Sequence, residues 1–289
     1  MYRLAISCTS QTEAERTADL LESIEAAFAT GWQELDEQKS LFEAEAYFHE
    51  MPEPQLLEPL KGRQFRLHAV EEKNWVDQSL QQFTPVRAGR FFVHGSHHAP
   101  SQAPGAIAIR IDAGLAFGTG HHATTAGCLL ALDNLLKRET PRRMLDLGCG
   151  TGVLAIAAAR AIRRTVIASD IDPVAVATAK DNAGLNGVTG LVRPVIAAGF
   201  DHPALSRGEP FDLIMANILA NPLMAMANDL GGRLSAGGHA ILSGILAVQA
   251  PRVEARYRAA GLRLAARQID GDWAVLTLYR PLRPHSSAQ

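Results

Sequence analysis

The chain has 289 residues, enough for one large domain or for a small and a medium one. With 47% hydrophobic residues and 28 Lys and Arg set against 30 Asp and Glu, it should form a true core and carries no broad basic face for nucleic acid. Its three cysteines, Cys8, Cys128 and Cys149, lack metal-ligand spacing, the opening MYRLAISCTS lacks the apolar centre of a signal peptide, and no apolar run nears the roughly 20 residues of a membrane helix. A cytoplasmic protein without membrane association or direct nucleic-acid binding is expected.

In chain order, YRLAISC alternates Leu4, Ile6 and Cys8 against Arg3, Ala5 and Ser7, a strand pattern. Ser10 and Glu13 have capping-box spacing, and Ala14, Ala18, Leu21, Ile24 and Phe28 follow at helical spacing, with Gly31 as the expected stop. WQELDE is a weaker strand. LFEAEAYF alternates again, QLLEPLKG is a short helical stretch, and QFRLHAV alternates once more. The order β-α-β-β-α-β over residues 1–70 predicts a small ferredoxin-like α+β domain. Residues 71–85, EEKNWVDQSLQQFTP, read as a linker helix, and SHHAPSQAPG as a surface loop.

From residue 86 the second domain runs to 289, and from about 106 apolar runs alternate with helical stretches. AIAIRI precedes a helix over 124–138, RRMLDL a helix over 153–163, and TVIASD a helix over 173–185. FDLIMANI precedes a helix over 222–234, and HAILSGI a helix near 252–260. This alternation predicts an α/β fold, a parallel sheet with helices on both faces, closed by an antiparallel hairpin about Gly271.

Three stretches carry chemistry. In LDLGCGTGVLA a strand runs into Gly148, Gly150 and Gly152, where backbone can approach a ligand closely. Twenty-two residues beyond Gly148 the next strand ends at Asp170, placed to accept hydrogen bonds from a ribose diol. The spacing G-x-G-x-G, preceded by Asp146, departs from the dinucleotide pattern G-x-G-x-x-G and suits S-adenosylmethionine, which has no phosphate; a glycine turn that only packs a helix on its strand is the alternative. In MANILANPL, Asn217 ends a strand and offers a neutral carbonyl acceptor for an amine, or else caps the helix before Pro222. In GLAFGTGHHATT, Phe117, Gly118, Thr119 and Thr125 are cofactor-binding candidates. The adjacent His121 and His122 diverge and have no Cys or carboxylate to complete a metal set, so no metal is expected.

With DAGLAFGTGHHATT, LDLGCGTGVLAIAA, ASDIDPVAV, DNAGLNGV, ANILANPL, LSGIL and GDWAVLTL in this order, the sequence resembles the bacterial ribosomal protein L11 methyltransferase family over residues 86–289. LAFGTGHHATT together with ANIL is the specific part; the glycine and SDID motifs would fit many methyltransferases. The resemblance implies a seven-stranded Rossmann-like methyltransferase domain behind a small domain that recognises the protein substrate. It implies transfer of methyl groups from S-adenosylmethionine to amino groups of ribosomal protein L11, free or on the ribosome. By the resemblance Thr125, Gly148, Asp170 and Asn217 contact the cofactor; Gly150 joins them from the glycine loop. Asn217 is also the catalytic candidate, aiming the amine, and no dedicated base is nominated, His122 being as well suited to a structural role. A methyltransferase for a glutamine amide, a nucleic-acid base or a small molecule is the alternative; NILA offers no aromatic to stack a planar target. A cofactor-holding scaffold would have lost Asn217 or the threonine loop, and both are intact.

Overall fold

The computed structural model describes residues 2–22, 24, 26–27, 29–36, 41–69, 85–96, 98, 103–111 and 122–282. The chain forms two compact units, Met1–Gln78 and Ser79–Gln289. The first contains β1 (Tyr2–Cys8), α1 (Gln11–Glu22), β2 (Ala29–Asp36), β3 (Leu41–Phe48), a 3-10 helix (Pro54–Leu60) and β4 (Arg66–Ala69). Its antiparallel sheet has the order β2-β3-β1-β4, the ferredoxin-like arrangement.

Period-2 alternation puts Leu4, Ile6 and Cys8 of β1 beside Phe42, Ala44, Ala46 and Phe48 of β3, and α1 covers them with Ala14 and Leu21. The Ser10 hydroxyl accepts the Glu13 N–H at 3.2 Å. The Glu13 carboxylate reaches back to the Thr9 N–H at 2.8 Å, one residue earlier than in the usual box. Two expectations fail here. Gly31 does not stop a helix: α1 ends at Glu22 and Gly31 lies within β2. The second helix is a 3-10 turn, because Pro59 inside it removes a donor that an α-helix would use. The expected linker helix over 71–85 lies, but for Pro85, outside the described residues.

The second unit opens with β5 (Val86–Ala88), β6 (Phe91–His94) and β7 (Ile107–Arg110). AIAIRI was expected to open the main sheet; instead β7 pairs in parallel with β6 in a separate three-stranded sheet. Phe91, Val93 and Ile109 of this sheet bury their side chains with α2 (His122–Leu136), which draws β7 away from the main sheet. Beyond it come β8 (Met144–Leu147), α3 (Val153–Ile162), β9 (Val166–Asp170), α4 (Pro173–Leu185), β10 (Val192–Ile196), α5 (Pro203–Ser206) and β11 (Phe211–Asn217). The unit closes with α6 (Ala220–Ala225), α7 (Ala227–Arg233), β12 (Leu234–Leu246), α8 (Ala250–Ala259), β13 (Arg263–Asp270) and β14 (Trp273–Tyr279).

The seven-stranded sheet has the order β10-β9-β8-β11-β12-β14-β13, parallel except for β14. One apolar layer packs α2, α3 and α4 on one face, and a second packs α5 to α8 on the other. Hence β8, MLDL, is buried at every position and shows no alternation. The helix expected over 222–234 is two, broken at Met226, and β12 starts five residues before the predicted His239.

One buried carboxylate ties the small sheet to α2. Asp133 is fully buried and accepts from Arg90 Nε at 2.5 Å and Lys137 Nζ at 2.8 Å. Burial alone would raise its pKa; the Lys137 and Arg90 contacts outweigh that and hold it below the usual carboxylate value. Asp133 therefore stabilises the fold above the ordinary carboxylate range, and that contribution is lost as acid protonates it. Asp133→Ala should cost about 2 kcal/mol at pH 7, since Arg90 and Lys137 are half-exposed and recover hydration. Chemical denaturation of the variant measures it; an unchanged midpoint would show that the hairpin is held by apolar packing alone.

Candidate active site

The order of the large sheet creates the crevice. From β8 the chain steps outward through β9 to β10, then returns to place β11 on the other side of β8. The carboxyl ends of β8 and β11 flank this switch point, where open α/β sheets bind ligands. Four segments meet there: the loop after β8, the end of β9, the turn after β11 and the first turn of α2.

The loop after β8 is held almost entirely by its own backbone. Gly148 and Cys149 both donate N–H bonds to the Ser169 carbonyl, at 2.8 and 2.9 Å. Gly150 N–H donates to Asp170 Oδ2 at 2.9 Å, and Asp172 N–H to Asp170 Oδ1 at 3.1 Å. These N–H groups are engaged within the protein. Their effect is to fix the Asp170 carboxylate, each of whose oxygens keeps a second lone pair. The glycines serve separate needs. Gly148, at φ 69°, lets the loop lie on the turn after β11: a Cβ there would sit 2.4 Å from Ile218 Cγ2. A Cβ on Gly150, at φ 50°, would meet no atom within 4 Å among the described residues, so the loop presents an open face at that point. The packing reading and the ligand reading of the motif are thus divided between different glycines.

Asn217 ends β11. Its side-chain amide donates to the hydroxyls of Thr124 at 3.3 Å and Thr125 at 3.4 Å. Both threonines are buried in the first turn of α2, which begins at His122, two residues before the expected start. Asn217 does not cap α6, whose N-cap is Leu219. With its NH2 occupied, Asn217 presents Oδ1, a buried acceptor with no hydrogen-bond partner among the described residues. A buried unpaired carbonyl costs on the order of 1–3 kcal/mol and asks for a donor from outside. Ile218 N–H bonds to the Ser243 carbonyl at 3.1 Å, anchoring the turn on β12.

Asp146, one residue from the end of β8, is 1% exposed and accepts the Ala155 N–H at 2.9 Å, clamping the start of α3. Burial raises its pKa to about 7. Burial also pushes the Cys128 thiol up to about 12 and raises that of Cys149. Both thiols stay protonated at neutral pH and are poor nucleophiles.

The structure thus joins Gly148, Gly150 and Asp170 on one side of the crevice and Thr125 and Asn217 on the other, with Gly148 touching the residue after Asn217. Thr124 shares the Asn217 amide with Thr125; the pair of threonines was marked in the sequence, but not that both hydroxyls meet the end of a strand. Phe117, Gly118, Thr119 and His121 lie outside the described residues, as does the side chain of His122. Among the described residues no group of His, Cys, Asp or Glu is placed to hold a metal ion, and no helix is long and apolar enough to cross a membrane.

The two glycines should separate on substitution. Gly148→Ala meets both left-handed backbone and the Ile218 methyl and should cost about 2–3 kcal/mol, whereas Gly150→Ala carries only the backbone cost of about 1 kcal/mol. Thermal unfolding of the two variants checks this; equal losses would mean that the contact with Ile218 relaxes freely.

The family model described as ribosomal protein L11 methyltransferase (PrmA) matches residues 2–281. A ribosomal protein L11 methyltransferase from Bradyrhizobium diazoefficiens is 44% identical over 290 residues, covering 96% of this chain and 97% of that protein. One from Brucella suis is 46% identical over 257 residues, 87% and 90% of the two chains. The crystal structure of a ribosomal protein L11 methylase from Lactobacillus delbrueckii subsp. bulgaricus superposes with a TM-score of 0.61 at 27% identity, covering 69% of this chain and 98% of that one. On a family match spanning nearly the whole sequence, and on relatives more than 40% identical over most of both chains, the chain belongs to the ribosomal protein L11 methyltransferase family.

Proposed function

We propose that this chain transfers methyl groups from S-adenosylmethionine to amino groups of ribosomal protein L11, free or on the ribosome, in the cytoplasm. The acceptors are lysine ε-amines or the α-amine. The observation that carries the amine reading is Asn217 Oδ1, a buried acceptor held in place by two threonine hydroxyls and itself unpaired. Family membership supports the substrate.

The residues present fit the cofactor. Asp170, oriented by two backbone N–H groups, has lone pairs for a ribose diol. Gly150 leaves an open face beside it, Gly148 sets the loop against the turn that carries Asn217, and Thr125 lines the opposite side. Phe117, Gly118 and Thr119 remain candidates for the same ligand. When bound, S-adenosylmethionine supplies a methyl group on a sulfonium, which leaves as a neutral thioether.

The chain's own contribution is position. Asn217 Oδ1 accepts an N–H of the neutral amine and turns its lone pair toward the reacting carbon. Being uncharged, the amide does not favour the ammonium form, which has no lone pair to offer. Asn217 is the catalytic residue of this reading, and no side chain is needed as a dedicated base, since the proton can leave the amine to water before attack. The turn NILA holds no aromatic ring against which a base or a planar amide would stack, which favours a flexible amine over the alternative acceptors.

Asn217→Ala should lower kcat by 10²-fold or more while changing the dissociation constant for S-adenosylmethionine by less than about 5-fold. Calorimetry and single-turnover methylation decide it; a parallel loss in both would make Asn217 a cofactor ligand only. Recognition of the protein substrate we assign to residues 1–70, which carry no part of the crevice. A fragment beginning at Ser79 should keep its affinity for S-adenosylmethionine and lose most activity on L11. Methylation by the fragment at the full-length rate would remove the first unit from recognition.

A further inference from the structure

The net charge of −2 hides a strong polarity along the strands of the large sheet. The catalytic end carries Asp170, Asp172, Asp270 and Asp272, all at or near the carboxyl ends of β9 and β13 or in the turn before β14, with Asp146 buried beneath them. The other end, where the parallel strands begin, is basic across six neighbouring strands. Arg164 precedes β9, Arg142 precedes β8, Arg207 lies in the loop into β11, Arg233 directly precedes β12, Arg280 directly follows β14 and Arg263 opens β13. At about 4.8 Å between strands the row spans about 24 Å.

None of these six forms an ion pair with a carboxylate among the described residues. Several are instead fixed on main-chain carbonyls. Arg280 Nη1 donates to Leu234 O at 2.6 Å, Arg263 Nη1 to Leu262 O at 3.2 Å, and Arg233 to Ser206 O. Behind the row, Arg143 Nη2 donates to Ala204 O at 2.8 Å and its guanidinium lies 4.6 Å over the Phe211 ring. Carbonyl anchoring restrains a guanidinium without neutralising it, so less conformational entropy is lost when its remaining N–H groups meet an anion. The acids nearby are few and partly engaged. Asp212 accepts the main-chain N–H groups of Arg142 at 2.8 Å and Arg143 at 3.1 Å and the Ser235 hydroxyl at 3.1 Å, and Glu139 faces His239 at 3.2 Å; Glu209 is the third.

We propose that this amino-terminal edge of the large sheet is a docking surface for the phosphate backbone of RNA. A row of arginines on six consecutive strands, none within ion-pair distance of a carboxylate among the described residues and each with a planar donor fork, suits a chain of regularly spaced phosphates. RNA rather than another polyanion follows from the reading of the substrate as a ribosomal protein, on which the choice of RNA rests. The surface lies at the end opposite the crevice, so an RNA seated there leaves the methyl-transfer site open. It also departs from the absence of nucleic-acid contact expected from net charge, a quantity that averages over the two ends.

The test uses the full chain and a fluorescein-labelled 20-nucleotide RNA of mixed sequence, with anisotropy followed from 50 to 300 mM KCl. Arg142, Arg164 and Arg207 are exposed, and among the described residues their side chains form no hydrogen bond or ion pair, although the charge of Arg142 acts on Asp212. The triple variant R142Q/R164Q/R207Q should bind RNA at least 10-fold more weakly and lose about 2 from the slope of log Kd against log salt. Arg252→Gln, at the start of α8 near the catalytic end, should leave RNA affinity unchanged. Methylation of free L11 and the melting temperature should match the parent in both variants, so failure of the RNA surface and failure of the methyltransferase reading are read separately. Equal RNA affinity in parent and triple variant would overturn the proposal. So would equal weakening by Arg252→Gln, or competition by a poly-glutamate peptide as effective as unlabelled RNA of the same charge, which would make the partner an acidic protein.

Discussion

The crevice depends on one close approach. The loop after β8 and the turn after β11 belong to strands that are adjacent in the sheet but 69 residues apart in register, Leu213 lying opposite Met144. They meet where Gly148 lies on Ile218, at a separation that leaves no space for a Cβ. Ile218 follows Asn217 directly, so the contact that seats the glycine loop also sets the height of the Asn217 amide. The same loop donates the Gly150 N–H to Asp170. Through one backbone approach, Asp170 and Asn217 are held in a common frame, and neither needs a flexible side chain to find the other.

Charge follows the same axis. Parallel strands present their carboxyl ends, with the loops that bear function, at one edge of the sheet, and here that edge is acidic while the other is arginine-rich. On the proposed reading an acidic rim would attract a cationic ligand such as a sulfonium or a lysine side chain, and the neutral Asn217 amide would then favour the uncharged amine. The opposing basic edge gains its potential from arginines that no carboxylate meets within ion-pair distance among the described residues, rather than from a surplus of basic residues in the chain.

Much of this was legible from local pattern. The α4 limits, Pro173–Leu185, follow from Pro173 at the first helical position and Asp172, whose carboxylate accepts the Val174 N–H at 2.8 Å. The β1 and β3 alternation was equally plain. Other features depend on partners distant in sequence. β10 escaped notice because Arg193 and Pro194 interrupt its apolar run, and Pro194 is tolerated there because β10 is an edge strand. AIAIRI reads as a strand, but no local signal reveals that it joins β6 and not β8. In the site, Asp170 and Asn217 could be found as polar residues at the ends of apolar strands. The engagement of the loop N–H groups with Ser169 and Asp170, and the sharing of the Asn217 amide between Thr124 and Thr125, arise only when the strands come together.

In the proposed reaction, protonation gives the reason for an amide at the end of β11. A free lysine amine has a pKa of about 10.4 and is overwhelmingly charged at neutral pH. A carboxylate in the place of Asn217 would stabilise that charge and deepen the barrier to releasing the proton. Asn217 supplies the same directional acceptor without the charge, and burial of its oxygen penalises an ammonium further. The nearby acids are arranged so as not to undo this. Asp146 is buried, bonded to the start of α3 and raised to a pKa of about 7, and both Asp170 oxygens already accept backbone N–H groups. The fold therefore places these carboxylates where they shape the loops, and leaves the uncharged Asn217 oxygen as the acceptor that the proposed reaction asks for.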